Sequence, residues 1–144
     1  MLSKNVMFIL FAYVAVGIAV AYAFIYDDQV EAIAEKSAIE SKSLTEARAA
    51  FWERDMARAE RLYLLITKDN ADNTDAWGEL GNLYYMQSRW TEAATAYTEA
   101  TLHLLDSGHF PQAMYLQQLV SRLDGKQAKR IHEHLVTRQS RPQG

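Results

Sequence analysis

Residues 74–107 read TDAWGELGNLYYMQSRWTEAATAYTEATLHLLDS, two helical patterns joined by a short turn. Trp77, Leu80, Gly81 and Tyr84 follow one another at spacings of three, one and three. At ~100° per residue they share one stripe of a helix. Ala93, Tyr97 and Ala100 recur at helical spacing further on and face back across the pair. Ser88 and Arg89 make the turn, and Trp90 opens the second helix and covers that turn. A glycine inside a helix costs ~1 kcal/mol against alanine. Close approach of the second helix offsets that cost, and the reading places Ala93 as the small residue opposite Gly81.

This pattern resembles a tetratricopeptide repeat, a helix–turn–helix unit with a period of 34 residues whose first helix carries W-x-x-L-G-x-x-Y. Trp77, Leu80, Gly81, Tyr84, Ala93, Tyr97 and Ala100 fill its landmark positions. The usual proline near the end of the repeat is replaced by Leu105. One period earlier, residues 40–73 look like a degenerate repeat, with Ala47 in the place of Gly81, Ala59 in that of Ala93 and Tyr63 in that of Tyr97. Ser43, Ala50 and Ile66 depart from the usual types. Helices are predicted over Thr45–Arg54 and Ala57–Thr67, followed by a turn rich in Asp and Asn.

After residue 107 the likeness fades. Asp106-Ser107-Gly108 is a helix stop, and Pro111 suits a first turn. Ala113, Leu116, Leu119, Val120 and Leu123 form an apolar stripe, while Tyr115 stands where a small residue is expected. Asp124-Gly125 separates this helix from a last one over Lys126–Thr137. Residues 111–138 are therefore predicted as capping helices, which solenoids need because one unit cannot bury its own apolar face. The resemblance implies an all-α fold, a short α-solenoid of antiparallel helix pairs over residues 44–138. Residues 139–144 are read as a frayed tail. It also implies a concave groove that binds another protein or a peptide, with Glu79, Asn82, Tyr85, Gln112 and Tyr115 as its candidate residues.

Upstream, residues 6–26 carry no charge. About 20 such residues in a helix cross the ~30 Å hydrocarbon layer. Residues 1–26 are thus predicted to be a transmembrane anchor in the lipid bilayer. Lys4 precedes the run, and Asp27, Asp28 and Glu31 follow it, so the N-terminus is placed in the cytoplasm and the rest outside. For a bacterium this means a single-pass protein of the inner membrane with its domain in the periplasm. The alternative is a signal peptide cleaved at Ala21-Tyr22-Ala23. Residues 27–43, acidic and without proline or glycine, read as a helical linker.

The chemistry of the remaining residues argues against catalysis. The chain has no cysteine, which excludes thiolate metal sites and cysteine nucleophiles. His132 and His134 lie ~200° apart on a helix and cannot chelate one ion. Glycine-rich phosphate loops and G-x-S-x-G turns are missing from the sequence. No enzyme activity, cofactor or metal is expected. The net charge of −3 argues against nucleic-acid binding. Arg122, Lys126, Lys129, Arg130, Arg138 and Arg141 form a basic cluster against only Asp124 and Glu133, read either as a docking patch or as a solvated helix end. The sequence supports a membrane-anchored scaffold for assembly of an envelope or membrane complex, similar in layout to accessory proteins of cytochrome c maturation or of the translocon. The alternative is a structural subunit of a membrane complex, held mainly by its transmembrane helix.

Overall fold

A computed structural model describes residues 29–31, 33–35, 37–38 and 41–140. The predicted span over residues 6–26 lies outside these. Among the described residues no helix is long and apolar enough to cross a membrane. The chain divides into two units between Ser41 and Lys42, and the second is the one built of packed helix pairs.

Within residues 42–140 the fold is all-α, six helices in sequential antiparallel pairs. They are α1 (42–52), α2 (Met56–Asp69), α3 (Thr74–Met86), α4 (Trp90–Asp106), α5 (Phe110–Leu123) and α6 (Gly125–Gln139). In α1, Leu44, Ala47 and Ala50 are buried at helical spacing. Residues 42 and 43, read from sequence as linker, belong to α1. Side chains open three of the other helices: Asp55 accepts from the amide of Arg58, Asn73 from that of Ala76, and Asp124 from those of Lys126 and Gln127. Asp55 is why α2 starts at Met56, one residue before the predicted start.

The turns after α1 and α3 repeat one geometry. Asp55 N–H donates to Ala50 O and Arg54 N–H to Phe51 O; likewise Arg89 N–H donates to Tyr84 O and Ser88 N–H to Tyr85 O. These are Schellman closures, which need a left-handed residue. Arg54 supplies it at φ 65° and Ser88 at φ 60°. The helix ends at residue 52, before the predicted Arg54, because Arg54 is this left-handed residue. After α4 the same closure falls on Gly108 at φ 80°. A side chain in this conformation costs ~1–2 kcal/mol that glycine escapes. Arg54→Gly and Ser88→Gly are each expected to raise stability by about 0.5–1 kcal/mol, after the greater chain entropy of glycine is subtracted. Urea unfolding of each variant checks this.

Helix α4 is the centre. Ala93, Ala94, Ala96, Tyr97, Thr98, Ala100, Thr101 and Leu105 are all buried, on more than one face, and α3, α5 and α6 all pack against it. Its alanines let these neighbours come close. The buried hydroxyls of Thr98 and Thr101 donate to Ala94 O and Tyr97 O of their own helix, which leaves neither unpaired. Gly81 is buried in α3, and a Cβ there would lie 2.5 Å from Tyr97 Cδ1. The glycine is therefore shaped by the Tyr97 ring. The reading that gave this role to Ala93 chose the right helix; Ala93 is fully buried one turn earlier.

Candidate functional site: a groove between the first helices of two pairs

A cavity of about 460 Å³ opens between the first two pairs, lined by Arg48, Phe51, Trp52, Tyr63, Glu79, Asn82, Tyr85 and Met86. Helices α1 and α3 supply most of its wall. Trp52 is 80% exposed, Met86 59% and Tyr85 42%, so large apolar side chains face solvent here. The Trp52 ring stands edge-on to Phe51 at 5.7 Å, and Trp90 stands edge-on to Tyr85 at 5.1 Å. Packing against a neighbouring ring limits the freedom of these exposed side chains.

The polar floor is a joint between the pairs. Arg48 Nε donates to Glu79 Oε1 at 2.7 Å, and Nη2 of the same guanidinium also bonds Oε1. Tyr63 donates its hydroxyl to Glu79 Oε2 at 2.7 Å. Three helices thus meet at one carboxylate. The bond to Glu79 holds the Arg48 guanidinium protonated more firmly than usual. Beside it, the hydroxyl of Tyr97 donates to Asn82 Oδ1 at 2.7 Å. A second joint has Arg89 donating to Glu60 at 2.8 Å and to Glu92 at 3.1 Å, with its guanidinium 4.2 Å over the Tyr84 ring. Trp77 is half-buried near the inter-pair loop, where its Nε1 donates to Ala71 O.

Of the sequence candidates, Glu79, Asn82 and Tyr85 come together in the cavity, whereas Gln112 and Tyr115 do not line it. Those two are exposed on α5, outside the wall that α1 and α3 supply. Arg48, Phe51, Trp52 and Met86 were missed as lining residues. The signal was available: Arg48, Phe51 and Trp52 lie 34 residues before Asn82, Tyr85 and Met86. The packing candidates Leu80, Tyr84, Ala93, Tyr97, Ala100, Ala47, Ala59 and Tyr63 are buried, and Trp77 is half-buried against the same core.

The basic cluster of the C-terminal helices is smaller than its sequence suggests. Arg130 pairs with Glu99 and Arg138 with Asp106, both on α4, and Lys129 pairs with Glu133. The two carboxylates of α4 come from 31 and 32 residues away, out of reach of local reading. Arg138 also donates to Leu105 O, and His134 Nε2 meets Asp106 at 2.9 Å, so α6 closes the C-terminal end of α4. Among the described residues no group of three or more His, Cys, Asp or Glu is placed to hold a metal ion.

Burial pushes the Tyr97 phenol up to about 12, and burial likewise raises Tyr63 and Tyr84 above the ordinary 10.0. The neutral phenol is favoured in the folded state. Its stabilising contribution is therefore whole below pH ~10 and is lost as pH rises through about 12 for Tyr97. The domain is expected to lose stability steeply over that window, and Tyr97→Phe is expected to flatten the fall. Urea midpoints taken from neutral to strongly alkaline pH test it.

Comparison with protein-family models and with curated proteins finds no match.

Proposed function

We propose that this chain is a scaffold of tetratricopeptide type, anchored in a membrane, that binds another protein through the groove between α1 and α3. The observation that carries the reading is the groove itself: exposed Trp52, Tyr85 and Met86 gathered around a cavity of about 460 Å³. Such cavities fall in the size range of binding sites, and aromatic residues and methionine are enriched at interfaces. The repeat reading is supported by three pairs of buried positions one period apart: Ala47 with Gly81, Ala59 with Ala93, and Tyr63 with Tyr97. It makes the unit a short solenoid, with α5 and α6 as its cap. The uncharged residues 6–26 support attachment to an inner membrane, with the domain on the periplasmic side and a role in assembling an envelope or membrane complex. That same uncharged run favours a second reading, a structural subunit held mainly by its anchor.

A photo-activated cross-linker placed at Tyr85 in the membrane-borne chain tests the groove. A discrete adduct from Tyr85 and none from exposed Arg61 on α2 is expected. Adducts from neither position, with a stable complex still recovered, would favour the anchor-held subunit.

A further inference from the structure

Cations and leucines share one exposed stripe of α2. Ala57, Arg58, Arg61, Leu64, Leu65 and Lys68 all face solvent. At ~100° per residue they fall within ~120° of one another around the helix. No carboxylate of α2 lies among them. Glu60 sits off the stripe and is held by Arg89, and the N-cap Asp55 turns its side chain to the amide of Arg58. Asp69 stands just outside the stripe, at the last residue of the helix. Arg61 and Lys68 form no ion pair among the described residues, and Arg58 reaches Glu53 only at 3.9 Å. The cations of α6 differ, since Lys129, Arg130 and Arg138 each have a carboxylate partner.

None of these six residues lines the groove between α1 and α3. Leu64 instead borders a smaller cleft of about 230 Å³ with Trp77, Leu80 and Tyr84, so apolar surface continues from the stripe toward α3 and α4. Long cationic side chains beside exposed leucines are the pattern of a helix lying in a membrane interface, where the cations reach phosphates and their stems and the leucines meet the acyl boundary. An acidic surface alone would satisfy the cations and leave the leucines in water. A neutral bilayer would do the reverse. An anionic bilayer satisfies both. We propose that α2 rests on an anionic lipid surface, with Arg58, Arg61 and Lys68 against lipid phosphates and Leu64 and Leu65 in the interface. So few cations bind weakly by themselves. The proposal therefore rests on the anchor of the reading above, which holds the domain beside the bilayer and raises the effective concentration of the surface.

The chain has no cysteine, so Ala57→Cys places a single fluorophore on the stripe, and Gln118→Cys places one on the exposed side of α5 as control. Each full-length variant is put into nanodiscs of phosphatidylcholine, with or without about 30% phosphatidylglycerol, that contain a spin-labelled lipid quencher. Quenching at position 57 is expected to be about threefold stronger in the anionic discs and to fall to the neutral level at about 500 mM NaCl, with position 118 unmoved. Arg61→Glu combined with Lys68→Glu should abolish the difference while the melting temperature holds. Equal quenching in the two discs overturns the inference, as does a difference that survives the double substitution. Capture of an acidic protein by a cross-linker at Arg61, with the label at position 57 unquenched, also overturns it and makes the stripe a protein contact. If the chain enters the discs but the label stays unquenched, this inference falls and the anchor stands. If the chain enters neither disc, both fall.

Discussion

Gly81→Leu is expected to unfold the second helix pair or cost it several kcal/mol, while Gly78→Ala, three residues away in the same helix, stabilises it. Both glycines lie inside one helix, but only Gly81 falls on the stripe of Trp77, Leu80 and Tyr84. A Cβ at Gly78 meets nothing within 4 Å, so alanine there gains about 0.5–1 kcal/mol from helix propensity alone. A Cβ at Gly81 falls 2.5 Å from Tyr97 Cδ1 and 2.6 Å from Cε1. That ring is buried and its hydroxyl is bonded to Asn82, so it cannot swing aside without losing the bond. Even Gly81→Ala should cost ~1–3 kcal/mol by overpacking, against its propensity gain, and leucine more. Thermal melts of the three variants decide the matter. A Gly81→Ala variant as stable as the parent would mean that α3 and α4 do not approach this closely.

The second large effect lies at the other end of the domain. Ile131 is the fully buried residue of α6, in one core cluster with Val120 of α5 and Leu105 of α4. The rest of α6 is mostly polar, so little else anchors it apart from Ala128, Leu135 and the links of Gln127, Arg130, His134 and Arg138 to α4. Ile131→Ala should cost about 2–5 kcal/mol. In a unit of about 100 residues that lowers the melting temperature by more than ~10 °C. Exposed Val136, on the same helix, is the control: Val136→Ala should leave the melt nearly unchanged. Equal effects of the two substitutions would show that α6 is not docked as described.

Most of the helical architecture was legible from residue types alone. The stripe of Trp77, Leu80, Gly81 and Tyr84 locates α3, and Pro111 locates α5 to within a residue. Boundaries were missed where the cause was a backbone state or a cap. Nothing in the identity of Arg54 announces a left-handed residue, whereas Gly108 does. The groove was half legible. Local patterning tells which side of α3 is free of the core, so Glu79, Asn82 and Tyr85 were found. What stands across from them depends on how α1 docks, and Arg48, Phe51 and Trp52 become visible only when the period is applied to surface positions as well as buried ones. The pairing of Arg130 and Arg138 with α4 was hidden for a similar reason, since it is a property of packing between helices far apart in the chain.

The three indoles of the domain sit at Trp52, Trp77 and Trp90, and none lies beyond the start of α4. Tryptophan emission is therefore a reporter of the groove end and has no probe on α5 or α6. Circular dichroism, by contrast, weighs every helix. If the domain melts as one unit, the two signals must trace a single curve. If the last helices fray first, ellipticity will fall while the emission spectrum stays still. This protein thus carries its own internal gauge of how far cooperativity extends along a stack of helix pairs.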